Sequence, residues 1–112
     1  MLKIVNLELN RPTVPLALSL LEDALRIARR DRFLAVKLIH GYGSSGVGGD
    51  IRIAVQKTLA QKLAAGEIGA FIAGEDWRIS NESSWELLKH CPELKQDSDL
   101  GRGNRGITVV VL

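Results

Sequence analysis

Leu2, Ile4, Leu7 and Leu9 alternate imperfectly with polar neighbours in a stretch poor in turn residues, which predicts a first strand from Leu2 to Leu9. Asn10-Arg11-Pro12-Thr13-Val14-Pro15 then reads as a turn and helix entry, with Thr13 able to cap and Pro15 tolerated in a first turn. From Leu16 to about Arg30 the period changes to that of a helix. Ala17, Leu20, Leu21, Ala24, Ile27 and Ala28 form one stripe, and Ser19, Glu22, Asp23, Arg26 and Arg30 form the other. Arg26, Arg29 and Arg30 are expected on the exposed face, where cations also suit the negative end of the helix dipole.

The run Phe33–Ile39 predicts a second strand. A second helix is predicted from Asp50, its N-cap, with Ile51, Val55, Leu59 and Leu63 spaced a turn apart and a stop at Gly66. Ile68 to Ala73 reads as a third strand, and Gly106 to Leu112, β-branched and almost wholly apolar, as a buried closing strand. Between them, Gly74 to Arg105 is a long polar excursion with Trp77, Trp85 and a short helix expected from Ser83 or Ser84 to just before Pro92. Excursions of that length in compact domains carry function or structure of their own. The order predicts one α/β domain over residues 1–112, built in two layers.

Composition narrows the partners only a little. The chain has 112 residues, 46% of them hydrophobic, enough for one core, and its 15 Lys and Arg against 13 Asp and Glu give a net charge of +2. That balance excludes a histone-like basic tail. Nine of the cations are arginines, whose planar fork suits phosphate and base edges. A single cysteine, Cys91, excludes an internal disulfide and fits a reducing compartment. No long apolar stretch follows basic residues at the N-terminus and no segment has the length of a membrane span, so a cytoplasmic protein without membrane contact is expected.

The candidate chemistry lies after the second strand, in His40-Gly41-Tyr42-Gly43-Ser44-Ser45-Gly46-Val47-Gly48-Gly49. Five glycines in nine residues exceed what one tight turn needs, and a glycine loop feeding a helix N-terminus offers amide donors and a positive dipole end to an anion. Gly41 to Gly46 satisfies G-x-G-x-x-G, but Val47, Gly48 and Gly49 intervene before the expected helix start, which argues against a dinucleotide fingerprint. The P-loop spacing is also present, yet Val47 stands where a lysine must reach the phosphates.

Ile39-His40-Gly41-Tyr42-Gly43, then Ile51-Arg52 at a helix start and a closing Gly106-Ile107-Thr108-Val109-Val110, resembles the Smr (small MutS-related) domain over nearly the whole chain. The resemblance implies a βαβαββ mixed sheet with helices on one face, like the C-terminal domain of a bacterial translation initiation factor. It also implies nucleic-acid binding, to RNA or DNA, and in some members nicking or RNA endonuclease activity. Members commonly carry Leu-Asp-x-His-Gly at the end of the first strand; the matching residues here are Leu7-Glu8-Leu9-Asn10-Arg11, so Glu8 keeps a carboxylate while Asn10 cannot serve as a base.

The expectation is therefore an Smr-like nucleic-acid-binding domain in which Gly41, Tyr42, Gly43, Ser44, Ser45, Gly46, Gly48, Gly49, Arg52 and Arg105 contact backbone phosphate. If it cleaves, Glu8 and His40 would do so through a His-activated or Mg²⁺- or Mn²⁺-bound water. Each also has a structural reading: His40 as a strand-end hydrogen-bonding residue, Glu8 as the solvent side of an edge strand. The same loop would suit a small phosphate or nucleotide ligand, and Trp77 and Trp85 a protein contact. His90-Cys91 lacks a second pair of zinc ligands, and Asp97 and Asp99, with Glu93, fit hydration or a cation. Oligomeric state is not encoded in any of these features.

Overall fold

A computed structural model describes residues 2–10, 12–42 and 47–112. The elements run β1 (Leu2–Asn6), α1 (Val14–Arg30), β2 (Ala35–Ile39), α2 (Val47–Ala64), β3 (Ala70–Ala73), α3 (Glu82–His90) and β4 (Ile107–Val111), with 3₁₀ turns at Gly74–Asp76 and Pro92–Gln96. The sheet order is β1-β2-β4-β3. β1 and β2 are parallel, and β4 runs antiparallel to both β2 and β3. This is the mixed sheet that the resemblance implies, its βαβαββ order carrying α3 as an additional helix between β3 and β4.

Local chemistry explains most boundaries. Thr13 caps α1, its hydroxyl accepting from the Leu16 amide at 3.3 Å. Asn81 caps α3, accepting from the Ser84 amide at 2.9 Å, so this helix starts at Glu82, ahead of the predicted serines. α2 ends where expected, with the amides of Gly66 and Glu67 donating to Leu63 and Lys62. Its start differs. The helix begins at Val47, which puts Asp50 inside the first turn rather than at the cap, where its charge still complements the dipole. Because Gly46 then directly precedes the helix, the spacing argument against a dinucleotide fingerprint fails. The topology supplies a better one: β3, the strand after α2, is separated from β2 by antiparallel β4, so β2–α2–β3 is a split βαβ unit rather than the adjacent-strand unit of a dinucleotide fold.

β2 and β4 lie in the middle of the sheet and are buried on both faces, which is why their sequences read as unbroken apolar runs. On one face Val36, Leu38 and Val110 pack with Leu21 and Leu25 of α1 and Ile51, Val55 and Leu59 of α2. Leu63, predicted in the same stripe, is 42% exposed. On the other face Ala35, Ile72, Ile107 and Val109 pack with Trp77, Leu87, Leu88 and Leu94 from the excursion. The prediction of two layers with helices on one face thus holds for α1 and α2, while α3 and the Pro92–Gln96 turn add a third layer opposite them. The physical reason is the burial of β2 and β4 itself: apolar side chains point to both sides of a strand, and the second side needs cover.

Candidate nucleic-acid interface

At the end of the sheet where the parallel strands finish, β1 leads into Leu7 and Glu8, β2 into His40 and Gly41, β3 into Gly74 and Glu75, and β4 begins from Gly106. α2 starts at the same end. His40 is fully buried. Its Nδ1 lies 2.6 Å from the Gly41 carbonyl and its Nε2 2.8 Å from the Thr108 hydroxyl. A carbonyl only accepts, so the neutral ring carries its hydrogen on Nδ1 and Nε2 accepts from Thr108. Burial holds the imidazole below its usual range, against the pull of the Gly41 carbonyl; the charges of Arg52, Glu8 and Glu75 all reach the ring.

The two motifs that carry the resemblance are one physical unit. The Gly106 carbonyl accepts from both the His40 amide (2.9 Å) and the Gly41 amide (3.0 Å). Gly41 has φ 75°, and a Cβ at Gly106 would come within 3.4 Å of the Gly41 Cα and the Tyr42 ring. Glycine at these positions therefore serves strand-end packing as well as any ligand, and the Gly41 amide is already engaged. Tyr42 beside it is 59% exposed.

Gly106 is in turn held by a buried polar network that sequence reading missed. Asn104 accepts from the Gly106 amide and donates to Asp99, each at 2.9 Å. The Lys37 ammonium, 3% exposed in the middle of β2, reaches Asp97 and Asp99 at 2.8 Å each, and Trp77 Nε1 donates to Asp97 at 2.9 Å. Burial alone would lower the Lys37 pKa, but the hydrogen bonds and charges of the two carboxylates outweigh it and raise it. The same pairing, with the Asn104 hydrogen bond, holds Asp99 below the usual carboxylate range despite its burial. The cation that Asp97 and Asp99 meet is thus the protein's own. The clue in the sequence was a lysine at an inward position of an otherwise apolar strand.

Arg52 and Arg105 do come together, and on a residue the sequence did not single out. Arg52 Nη2 lies 3.0 Å and Arg105 Nε 3.9 Å from the same oxygen, Oε2 of Glu75. Gly74 fixes the approach of this segment: a Cβ there would sit 1.7 Å from the Asn104 carbonyl oxygen. Gly49 lies in the first turn of α2; Gly48 precedes it in the helix, and Gly43, Ser44, Ser45 and Gly46 lie outside the described residues. Glu8 is exposed two residues beyond β1, in a bend where its amide donates to Asn6, rather than on an edge strand.

Other candidates fall away from this end. Arg26 pairs with Asp23, Arg30 with Asp31, and Arg29 donates to the Glu67 carbonyl, all on the exposed face of α1. Trp77 is fully buried, whereas Trp85 is 40% exposed with Lys95 at 5.6 Å from its ring. Among the described residues no group of three or more His, Cys, Asp or Glu is arranged to hold a metal ion, and none of their helices is long and apolar enough to cross a membrane.

A mixed four-stranded sheet with this element order, closed at one end by His-Gly and Gly-x-Thr backbones, has the fold of an Smr domain. The crystal structure of the Smr domain of Thermus thermophilus MutS2 superposes with a TM-score of 0.61 at 24% identity, covering 98% of this chain and 96% of that one. No protein-family model and no curated protein sequence matches the chain.

Proposed function

We propose that the chain is a nucleic-acid-binding domain that holds backbone phosphate at the strand-end surface formed by Arg52, Arg105 and the first turn of α2. The observation that carries this reading is the convergence of Arg52 and Arg105 on one carboxylate oxygen of Glu75. Two guanidinium groups brought from distant parts of the chain to a single anionic oxygen can share a phosphate oxygen in the same way. The likeness to an Smr domain supports the reading, as does the position beyond the carboxyl ends of parallel strands, where α/β sheets usually bind ligands.

Binding rather than cleavage is the activity these groups support. His40 spends both ring nitrogens on internal hydrogen bonds, which leaves neither free to activate a water. The test is a titration of labelled RNA and DNA oligonucleotides at two salt concentrations, with the parent and Arg52→Ala/Arg105→Ala. The parent should bind, and the double variant should bind more weakly with a salt slope reduced by about 1 to 2. Absence of binding at low salt, or identical curves for parent and variant, removes the site.

A further inference from the structure

A cleft lies at the far end of the sheet from Arg52 and Arg105, where β4 finishes and β3 begins. It encloses about 400 Å³ between the sheet and α3, a size at the lower end of small-molecule sites. Leu34, Ala70, Leu87, Val111 and Leu112 form its apolar walls. Gly69 forms part of the floor, and its backbone does not require glycine. Its φ is not positive, and a Cβ there would meet only atoms of Val111 and Leu112, at 3.5, 3.6 and 3.7 Å, which is ordinary contact. The missing side chain keeps the cleft open.

The polar groups of the cleft all come from one flank of α3. Glu82, Glu86 and His90 follow one another a turn apart, with Ser83 beside them. Among the described residues no lysine or arginine lines the cleft. Glu86 pairs with Lys89 at 2.8 Å, but both side chains are about half exposed, and such a pair holds its carboxylate only weakly. The Glu82 carboxylate has neither an ion pair nor a hydrogen bond among the described residues. An apolar enclosure rimmed by two carboxylates complements a molecule with an apolar body and a cationic head, and repels an acid of the same shape. The volume suits a compact molecule better than a length of peptide. We propose that this cleft binds a small primary amine with an alkyl or aryl body, its ammonium against Glu82 and Glu86 and its apolar part over Gly69, between Leu87 and Leu112. The site is separate from the phosphate-binding surface and stands or falls without it.

Titrating hexylammonium, hexanol and hexanoate into the isotope-labelled protein, with the amides of Gly69, Ala70, Leu87 and Leu112 followed by NMR, tests this. Hexylammonium should shift these amides saturably. Hexanol should bind roughly two- to fivefold more weakly, the effect of one partly exposed charge contact, and hexanoate least of all. Glu82→Gln/Glu86→Gln should bring hexylammonium to the level of hexanol. Gly69→Val should weaken binding of all three by filling the floor. The absence of a saturable shift at these amides, hexanoate binding as well as hexylammonium, or binding unchanged in Gly69→Val overturns the site. A peptide alternating leucine and lysine that shifts the same amides where hexylammonium does not overturns the small amine as occupant. Should either variant not give a folded far-UV spectrum, the parent's ranking of the three compounds decides alone.

Discussion

His40 at the end of β2 accepts a 2.8 Å hydrogen bond from Thr108 in β4, 68 residues further along the chain, in the fully buried interior. The pair lies on the sheet face covered by α1 and α2, since His40 shares the parity of Val36 and Leu38. Replacing Thr108 by valine keeps the shape and leaves Nε2 an unmet buried acceptor. Urea unfolding should show a loss of about 1–3 kcal/mol, and His40→Phe should restore part of it in the Thr108→Val background.

His40 also sets a pH dependence. Its folded pKa lies below its ordinary value of about 6.5 because burial disfavours the charged ring. The unfolded chain then takes up a proton before the folded one does, so stability is full above about pH 6.5 and falls as the pH drops towards the folded value. Asp99 acts in the same sense only in the acid range below about pH 4. Melting temperatures between pH 7.5 and 5.5 should therefore decline, and His40→Gln should flatten that decline.

Lys37→Ala leaves Asp97 and Asp99 facing each other without their cation, at side-chain exposures of 5% and 20%. A cost of about 3–5 kcal/mol is expected. Lys37→Met combined with Asp97→Asn and Asp99→Asn removes the stranded charges and should recover most of it. Equal stabilities of Lys37→Ala and the triple variant, by denaturant titration, would contradict the buried network.

Gly74 and Gly101 separate crowding from backbone strain. A Cβ at Gly74 meets the Asn104 carbonyl oxygen at 1.7 Å, whereas one at Gly101, φ 77°, meets nothing within 4 Å. Gly74→Ala should cost at least about 3 kcal/mol or prevent folding, and Gly101→Ala about 1 kcal/mol. Thermal melts of the two side by side check the ranking.

Acrylamide should quench one tryptophan and spare the other. Trp77 is buried with its indole N–H on Asp97, and Trp85 is 40% exposed. In Trp85→Phe the remaining fluorescence should resist quenching.

How much of this was legible in the sequence depended on how far each partner lay along the chain. The helix of Leu16 to Arg30 and the strands Phe33–Ile39 and Gly106–Leu112 announce themselves through local period, and the Thr13 cap and Gly66 stop through single residues. The meeting of the His-Gly and Gly-x-Thr motifs was readable only as a resemblance, because its side-chain hydrogen bond crosses 68 residues and its backbone bonds nearly as many. Lys37 hid inside an apolar run because its partners lie 60 and 62 residues away. Glu75 carries no local signal at all: it matters through Arg52, 23 residues earlier, and through Arg105 in the loop before β4. The start of α2 was misplaced because Asp50 suits a cap and a first turn equally.

β4 has a consequence for assembly. It lies between β2 and β3, and β3 pairs with no other strand of the sheet. Before residues 107–111 insert, the parallel pair β1–β2 and the strand β3 have no ladder joining them, Thr108 has not reached His40, and Gly106 has not met the amides of β2's end. The strand-end surface proposed to hold phosphate and the middle of the sheet therefore both depend on β4 being in place.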